Sequence, residues 1–169
     1  MLTADQLREQ LDYNPETGVF TWKVNRYGVT IGAEAGNVRN DGYILISVLN
    51  KRYLAHRLAW LYSNGEWPTS DLDHINGQRF DNRIANLRLA NRKQSVANRG
   101  PRCDNKLGMK GVYRVGDRFV ARIKISGRNI YLGTFDTAEE ANEAYRRAAL
   151  EHFGEFAFWQ PKDPADSAD

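Results

Sequence analysis

In the stretch from Asp71 to Arg99, DLDHINGQRFDNRIANLRLANRKQSVANR, acid, base and amide side chains fall close together. Asp73 offers a carboxylate to a hard cation, and the adjacent His74 offers a base that titrates near neutrality. Asp81, Asn82 and Asn86 follow, and the amides suit either of two tasks, holding loops or completing a metal shell. Together these groups are the inventory of a one-metal phosphodiesterase. His56 lies upstream on a helical pattern, where a histidine is first of all a buried structural residue and only then a support for the site. His152 has no neighbouring chemistry and reads as structural.

These residues need elements to position them. Asp71 to Ile75 reads as a strand, and Asn76-Gly77 takes positive φ easily, so a hairpin tip is expected beside His74. An apolar beat at Ile84, Leu87 and Leu89 follows, then a polar segment from Asn91 to Asn98 that suits a helix. Upstream, Thr3-Ala-Asp-Gln6 is a capping box, and Leu2, Leu7 and Leu11 share a helical stripe, which predicts a helix to about Asp12. Strands are expected at Val19–Val24, Tyr43–Leu49 and Arg52–Leu54, the last two joined by a tight turn at Asn50-Lys51. A helix from Ala55 should stop at Asn64-Gly65.

At these residues the chain resembles the HNH endonuclease family. Asp73 falls at that family's metal carboxylate, His74 at its general base and Asn86 at its middle asparagine. The third position, nine residues beyond Asn86, is Ser95, where the family has Asn or His, and Asn98 lies one helical turn further on. The resemblance implies a ββα-metal core that hydrolyses DNA. His74 would take a proton from water, and a divalent cation on Asp73, magnesium or manganese, would stabilise the attacked phosphate. Products would carry 5′-phosphate and 3′-hydroxyl ends. Metal ligands are thus expected among Asp73, Ser95 and Asn98, catalytic side chains at His74 and Asn86, and support from His56 and Asn82. The implied setting is a homing endonuclease of a phage or prophage, acting in the bacterial cytoplasm.

Further along, three short strands are expected at Gly111–Val115, Arg118–Ile125 and Asn129–Phe135. In the middle one, Phe119, Ala121, Ile123 and Ile125 alternate with Arg118, Val120, Arg122 and Lys124, giving one greasy and one cationic face. Thr137-Ala-Glu-Glu140 then opens a helix whose stripe is Ala141, Ala144, Tyr145, Ala148 and Ala149. With GVY, ARI and YLGTFDTAEEANEAYRRAA in this order, the region resembles the plant-type ethylene-response-factor (Apetala-type) DNA-binding domain, whose sheet face enters the major groove. The resemblance puts Lys110, Tyr113, Arg118, Arg122, Lys124, Asn129 and Tyr131 at or near contact positions. Arg99 and Arg102, in the Gly/Pro/basic segment before it, are placed to touch the phosphate backbone.

The fold class is therefore α+β, a ββα-metal core with an N-terminal αβ extension, followed by a three-stranded antiparallel sheet packed on one helix. The expected division is an extension over 1–51, the nuclease core over 52–98, a basic linker over 99–108, the sheet-and-helix domain over 109–158, and a disordered acidic tail over 159–169. Charge supports a polyanionic partner. Residues 71–135 carry 14 Lys and Arg against 5 Asp and Glu, a net of +9, whereas residues 1–70 are neutral and 136–169 carry −6. Double-stranded DNA is the expected partner, with no membrane and no small-molecule substrate. Cys103 is the single cysteine, so no internal disulfide forms and a reducing compartment suits the chain. The other class left open is a DNA-binding protein that keeps the nuclease scaffold without its activity, an alternative raised by Ser95.

Overall fold

The computed structural model describes residues 1–25, 28–102 and 104–158; Cys103 and the acidic tail lie outside them. The architecture is α+β, in two compact units, Met1–Arg92 and Lys93–Asp169.

The first unit opens with α1 (Ala4–Gln10), whose Thr3 and Gln6 form the reciprocal capping box. The helix ends two residues earlier than its stripe predicts. Leu11 instead begins β1 (Leu11–Asn14), because Leu11 and Tyr13 alternate inward against β2 (Val19–Trp22) across the Asn14–Gly18 turn. A second antiparallel sheet orders β3 (Asn37–Val38), β4 (Ile44–Val48) and β5 (Lys51–Leu54) side by side. Its tight turn is one residue earlier than expected. Val48 pairs with Lys51, so the central residues are Leu49 and Asn50, both at positive φ, as a turn matching the strand twist requires.

Next comes α2 (Ala55–Asn64), closed by Gly65 in the left-handed conformation. It buries Ala55, His56, Leu58, Ala59 and Leu61, and Arg8 and Trp67 lash it to the N-terminus through bonds to the Tyr62 and Leu2 carbonyls at 2.6 and 2.9 Å. One apolar cluster joins Leu7, Leu11, Phe20, Ile46, Leu58, Leu61 and Leu87, so the N-terminal extension and the elements around the candidate site share a core. Strand β6 (Asp71–His74) pairs antiparallel with β7 (Leu87–Ala90). Gly77 does turn the chain beside His74, donating to the His74 carbonyl at 2.9 Å. The return strand, however, starts only after a loop over 75–86 that ends in a short 3-10 turn, Ile84–Asn86. The hairpin therefore has a long, structured tip in place of a two-residue one.

The second unit contains α3 (Arg92–Ala97, from Lys93 onward), then β8 (Val112–Val115), β9 (Arg118–Ile125) and β10 (Arg128–Phe135), with β9 central. Helix α4 (Ala138–Phe153) covers one face, capped by Thr137 and Glu140. Ala141, Tyr145 and Ala149 meet Val112, Ala121 and Ile123, the small residues allowing close approach. Gly111 is required there: at φ +74 a Cβ would collide with the Tyr145 ring. Leu107 and Met109 also pack into this core, and Asn105 donates to the Met109 carbonyl at 2.7 Å, so the segment before the sheet is built into the unit. Among the described residues no helix is long and apolar enough to cross a membrane.

Candidate active site

Strand alternation separates the acid from the base. Asp73 stands opposite Arg88, whose Nε and guanidinium nitrogen both donate to Oδ2 at 3.1 and 3.0 Å, and both side chains are about nine-tenths covered. His74, the next residue, points the other way and is 4% exposed. Its ring meets His56 edge-on at 5.1 Å between centroids, and Tyr43 lies 5.9 Å away. A long hydrogen bond of 3.4 Å joins its Nε2 to Asn82 Oδ1.

Burial is the main reason His74 holds its proton less tightly than an ordinary histidine; Asn82, Asp73 and Asp81 oppose the shift and Arg79 adds to it. His56 is affected more strongly. Burial, then the neighbouring His74 and Arg57, pushes its pKa down to about 3. It also sits in the first turn of α2, where the positive end of the helix dipole disfavours an added proton. His56 Nδ1 is buried with no hydrogen-bond partner among the described residues.

The loop that carries the amides is tightly cross-linked. Asn86 Oδ1 accepts from the Asn76 backbone at 3.0 Å, and Asn86 Nδ2 donates to Asn76 Oδ1 and the Asp81 carbonyl at 2.9 and 2.8 Å. Its side chain thus closes the loop on itself. Asp81 accepts from Asn76 Nδ2 at 2.7 Å and from Arg83 at 2.8 and 2.6 Å, contacts that hold its carboxyl below the usual carboxylate range, Arg83 being the largest cause. The N-terminal extension fixes this loop from behind. Tyr13 donates its hydroxyl proton to the Asn82 carbonyl at 2.7 Å, and Gly18 comes so near that a Cβ there would lie 2.5 Å from the Arg83 nitrogen. The buried Tyr13 hydroxyl has its pKa raised to about 12, so it stays a donor throughout the physiological range.

The structure thus gathers His56, Asp73, His74, Asn82 and Asn86 in the first unit. Ser95 and Asn98 lie in or just beyond α3, which groups with the second unit, Ser95 half-buried and Asn98 4% exposed. Among the described residues no cluster of three or more His, Cys, Asp or Glu side chains forms a metal cage. The oxygen donors here are the Asp73 carboxylate, whose Oδ2 accepts from Arg88, and the Asn82 and Asn86 amide oxygens, which face His74 Nε2 and the Asn76 backbone; oxygens of this kind are the donor type a hard cation takes.

The basic candidates divide. Tyr113, Arg122, Lys124, Asn129 and Tyr131 share the sheet face away from α4, with Arg122 opposite Tyr131 and Lys124 opposite Asn129. All but Tyr131 border a cleft of about 1030 Å³ that Arg102 and Lys106 also line. Arg118 forms an exposed ion pair with Asp136 at 2.9 Å, Arg102 one with Asp104 at 3.1 Å, and Arg99 is exposed. Lys110 also lines the cleft, but its ammonium is committed: it donates to the Ala97 and Val96 carbonyls at 2.6 and 3.4 Å, satisfying the end of α3. Burial, then Arg99, lowers its pKa to about 8.

Residues 53–97 match the family model described as HNH endonuclease. This segment is similar to the HNH endonuclease domain. A relative named as an uncharacterised HNH endonuclease, from Acanthamoeba polyphaga mimivirus, is 27% identical over 150 residues, covering 87% of this chain and 70% of its own length. The likeness therefore extends well beyond the HNH segment, which itself runs from β5 into α3. Arg88 on Asp73, Tyr13 on Asn82 and the exposed Phe80 carry no recognisable signal in the sequence. The first two depend on strand register and on contact between segments far apart in the chain.

Proposed function

We propose that the chain is a metal-dependent DNA endonuclease in which His74 is the general base. The observation that carries this reading is the environment of His74 on the HNH hairpin, buried and held neutral, with its ring orientation fixed by Asn82. The Asn82 amide is itself oriented, since Nδ2 donates to the Phe80 carbonyl at 3.1 Å and leaves Oδ1 toward His74. His74 Nε2 then carries the proton, and Nδ1 is the nitrogen that removes a proton from water. The water oxygen attacks phosphorus, the bond to the 3′ oxygen breaks, the departing 3′ oxygen takes a proton from solvent, and the proton removed from the attacking water resides on His74. Asp73 would hold magnesium or manganese, with Ser95 or Asn98 proposed as a further ligand on motif register alone; the ion supplies charge stabilisation at the phosphate. Asn86 acts by holding the loop that ends beside His74.

The partner we infer is double-stranded DNA, read by the outer face of the C-terminal sheet as in the ethylene-response-factor domain. Support comes from the row of Tyr113, Arg122, Lys124, Asn129 and Tyr131 and from the +9 charge of residues 71–135. Lys110, committed to α3, is left out of that row. The pairing of nuclease and reading domain suits a homing endonuclease of a phage or prophage, working in the host cytoplasm. A second reading is a DNA-binding protein with impaired cleavage, favoured by Ser95 and by the Arg88 clamp on Asp73.

Supercoiled plasmid incubated with the protein in magnesium or in EDTA tests the proposal. Nicked or linear product with magnesium only is expected. His74→Ala should lose roughly 10²–10⁴-fold in rate while keeping DNA affinity, because loss of a general base leaves phosphate contacts alone. Intact plasmid with both magnesium and manganese, but normal DNA binding, would favour the second reading.

A further inference from the structure

We propose that Phe80 is a wedge that inserts at a base step of duplex DNA beside the bond to be cut, an inference that rests on the endonuclease reading above. Phe80 is 57% exposed, although a free aromatic ring of this size is usually folded inward. The loop that carries it is stiff. Asn76, Asp81, Arg83 and Asn86 cross-link it, Asp81 donates its backbone proton to the Gln78 carbonyl at 3.1 Å, and Tyr13 and Gly18 brace it from behind. The ring is therefore held out by its own backbone.

Its surroundings select the occupant. A protein partner would want a contiguous apolar patch, but the next residue back is Arg79, anchored by a 2.8 Å bond to the Asp41 carbonyl and stacked 5.0 Å from the Tyr43 ring centroid. Arg83 lies three residues on, half exposed. A single apolar ring flanked by cations fits a DNA duplex, where the cations meet phosphates and the ring parts two stacked bases.

The position also couples insertion to chemistry. One amide, Asn82, donates to the Phe80 carbonyl at 3.1 Å and faces His74 Nε2 at 3.4 Å. Displacement of Phe80 by a base step thus reaches the imidazole through a single side chain. His74, 4% exposed in the free protein, is the group such a displacement would reorient.

The test uses the full-length chain carrying His74→Ala, in EDTA, so that no strand is cut. Closed circular plasmid is relaxed by a type I topoisomerase with saturating protein, deproteinised, and its linking-number distribution measured. A wedge unwinds DNA, so His74→Ala should lower the mean linking number in proportion to bound protein. Adding Phe80→Ala should remove that shift while the gel-shift affinity stays within about threefold, since phosphate contacts carry most of the affinity. Phe80→Trp should restore it. Among the described residues Phe80 is a member of none of the buried core clusters, and an unchanged melting temperature verifies that each variant folds. An undiminished shift in Phe80→Ala overturns the wedge. A parent that binds DNA and, with His74 present, nicks it, yet never shifts the linking number, overturns the wedge and leaves the endonuclease reading standing. A chain that neither binds nor nicks overturns both.

Discussion

Replacing His56 by Leu should flatten the acid dependence of stability. His56 is 6% exposed and its pKa in the folded protein is about 3, against 6.5 when exposed. Below pH 6.5 the unfolded chain takes up a proton at this position that the folded chain refuses, so stability present above pH 6.5 is lost as the pH falls toward 3. With those two values, the loss between pH 7 and pH 5 comes to about 2 kcal/mol, at 1.36 kcal/mol per unit of pKa difference. His74 contributes in the same direction, and carboxylates add their share at lower pH; both remain in the variant. Urea unfolding of wild type and His56→Leu at pH 7, 6 and 5, with slopes compared at each pH, isolates the His56 share. Leu also changes packing, so the absolute stability at pH 7 is not the readout. The wild type should lose about 2 kcal/mol more than the variant between pH 7 and pH 5. Parallel curves would show that His56 accepts its proton in the folded state, and the reasoning from burial and the unpartnered Nδ1 would fail.

Two other perturbations address the remaining proposals. Ser95→Asn should lower the magnesium concentration for half-maximal plasmid cleavage, because an amide oxygen extends the ligand by about one bond; no shift there, with a large loss in Asn98→Ala, would make Asn98 the ligand. Arg122→Ala with Lys124→Ala should weaken DNA binding and reduce the slope of log affinity against log salt by roughly 0.9 for each phosphate no longer neutralised. An unchanged slope and affinity would move the DNA surface off the sheet.

What the sequence determined by itself was local. The Asp-His pair, the asparagine a dozen residues on, both capping boxes, the Gly65 stop and the alternation along Arg118–Ile125 each depend on near neighbours, and the helices and strands they predict are present. Expectations slipped where a local signal met a longer-range competitor. The stripe of α1 ran on to Leu11 in sequence, but Leu11 and Tyr13 bury better as alternate residues of a strand paired with Val19–Trp22. Asn76-Gly77 turns the chain, yet the partner of β6 is chosen by the register that sets Asp73 against Arg88 and His74 against Leu87. That register alone gives Asp73 its arginine, and a sequence cannot show it. The packing of His56 and Tyr43 around His74 joins residues from three separated segments. The hold of Tyr13 on Asn82 spans 69 positions. Lys110, a plausible DNA contact from its charge and place, is turned to the carbonyls of α3 because a helix end in the same unit needs donors. Side-chain chemistry is written in the chain, but which buried groups share a proton, a carboxylate or a loop is decided by distance in three dimensions.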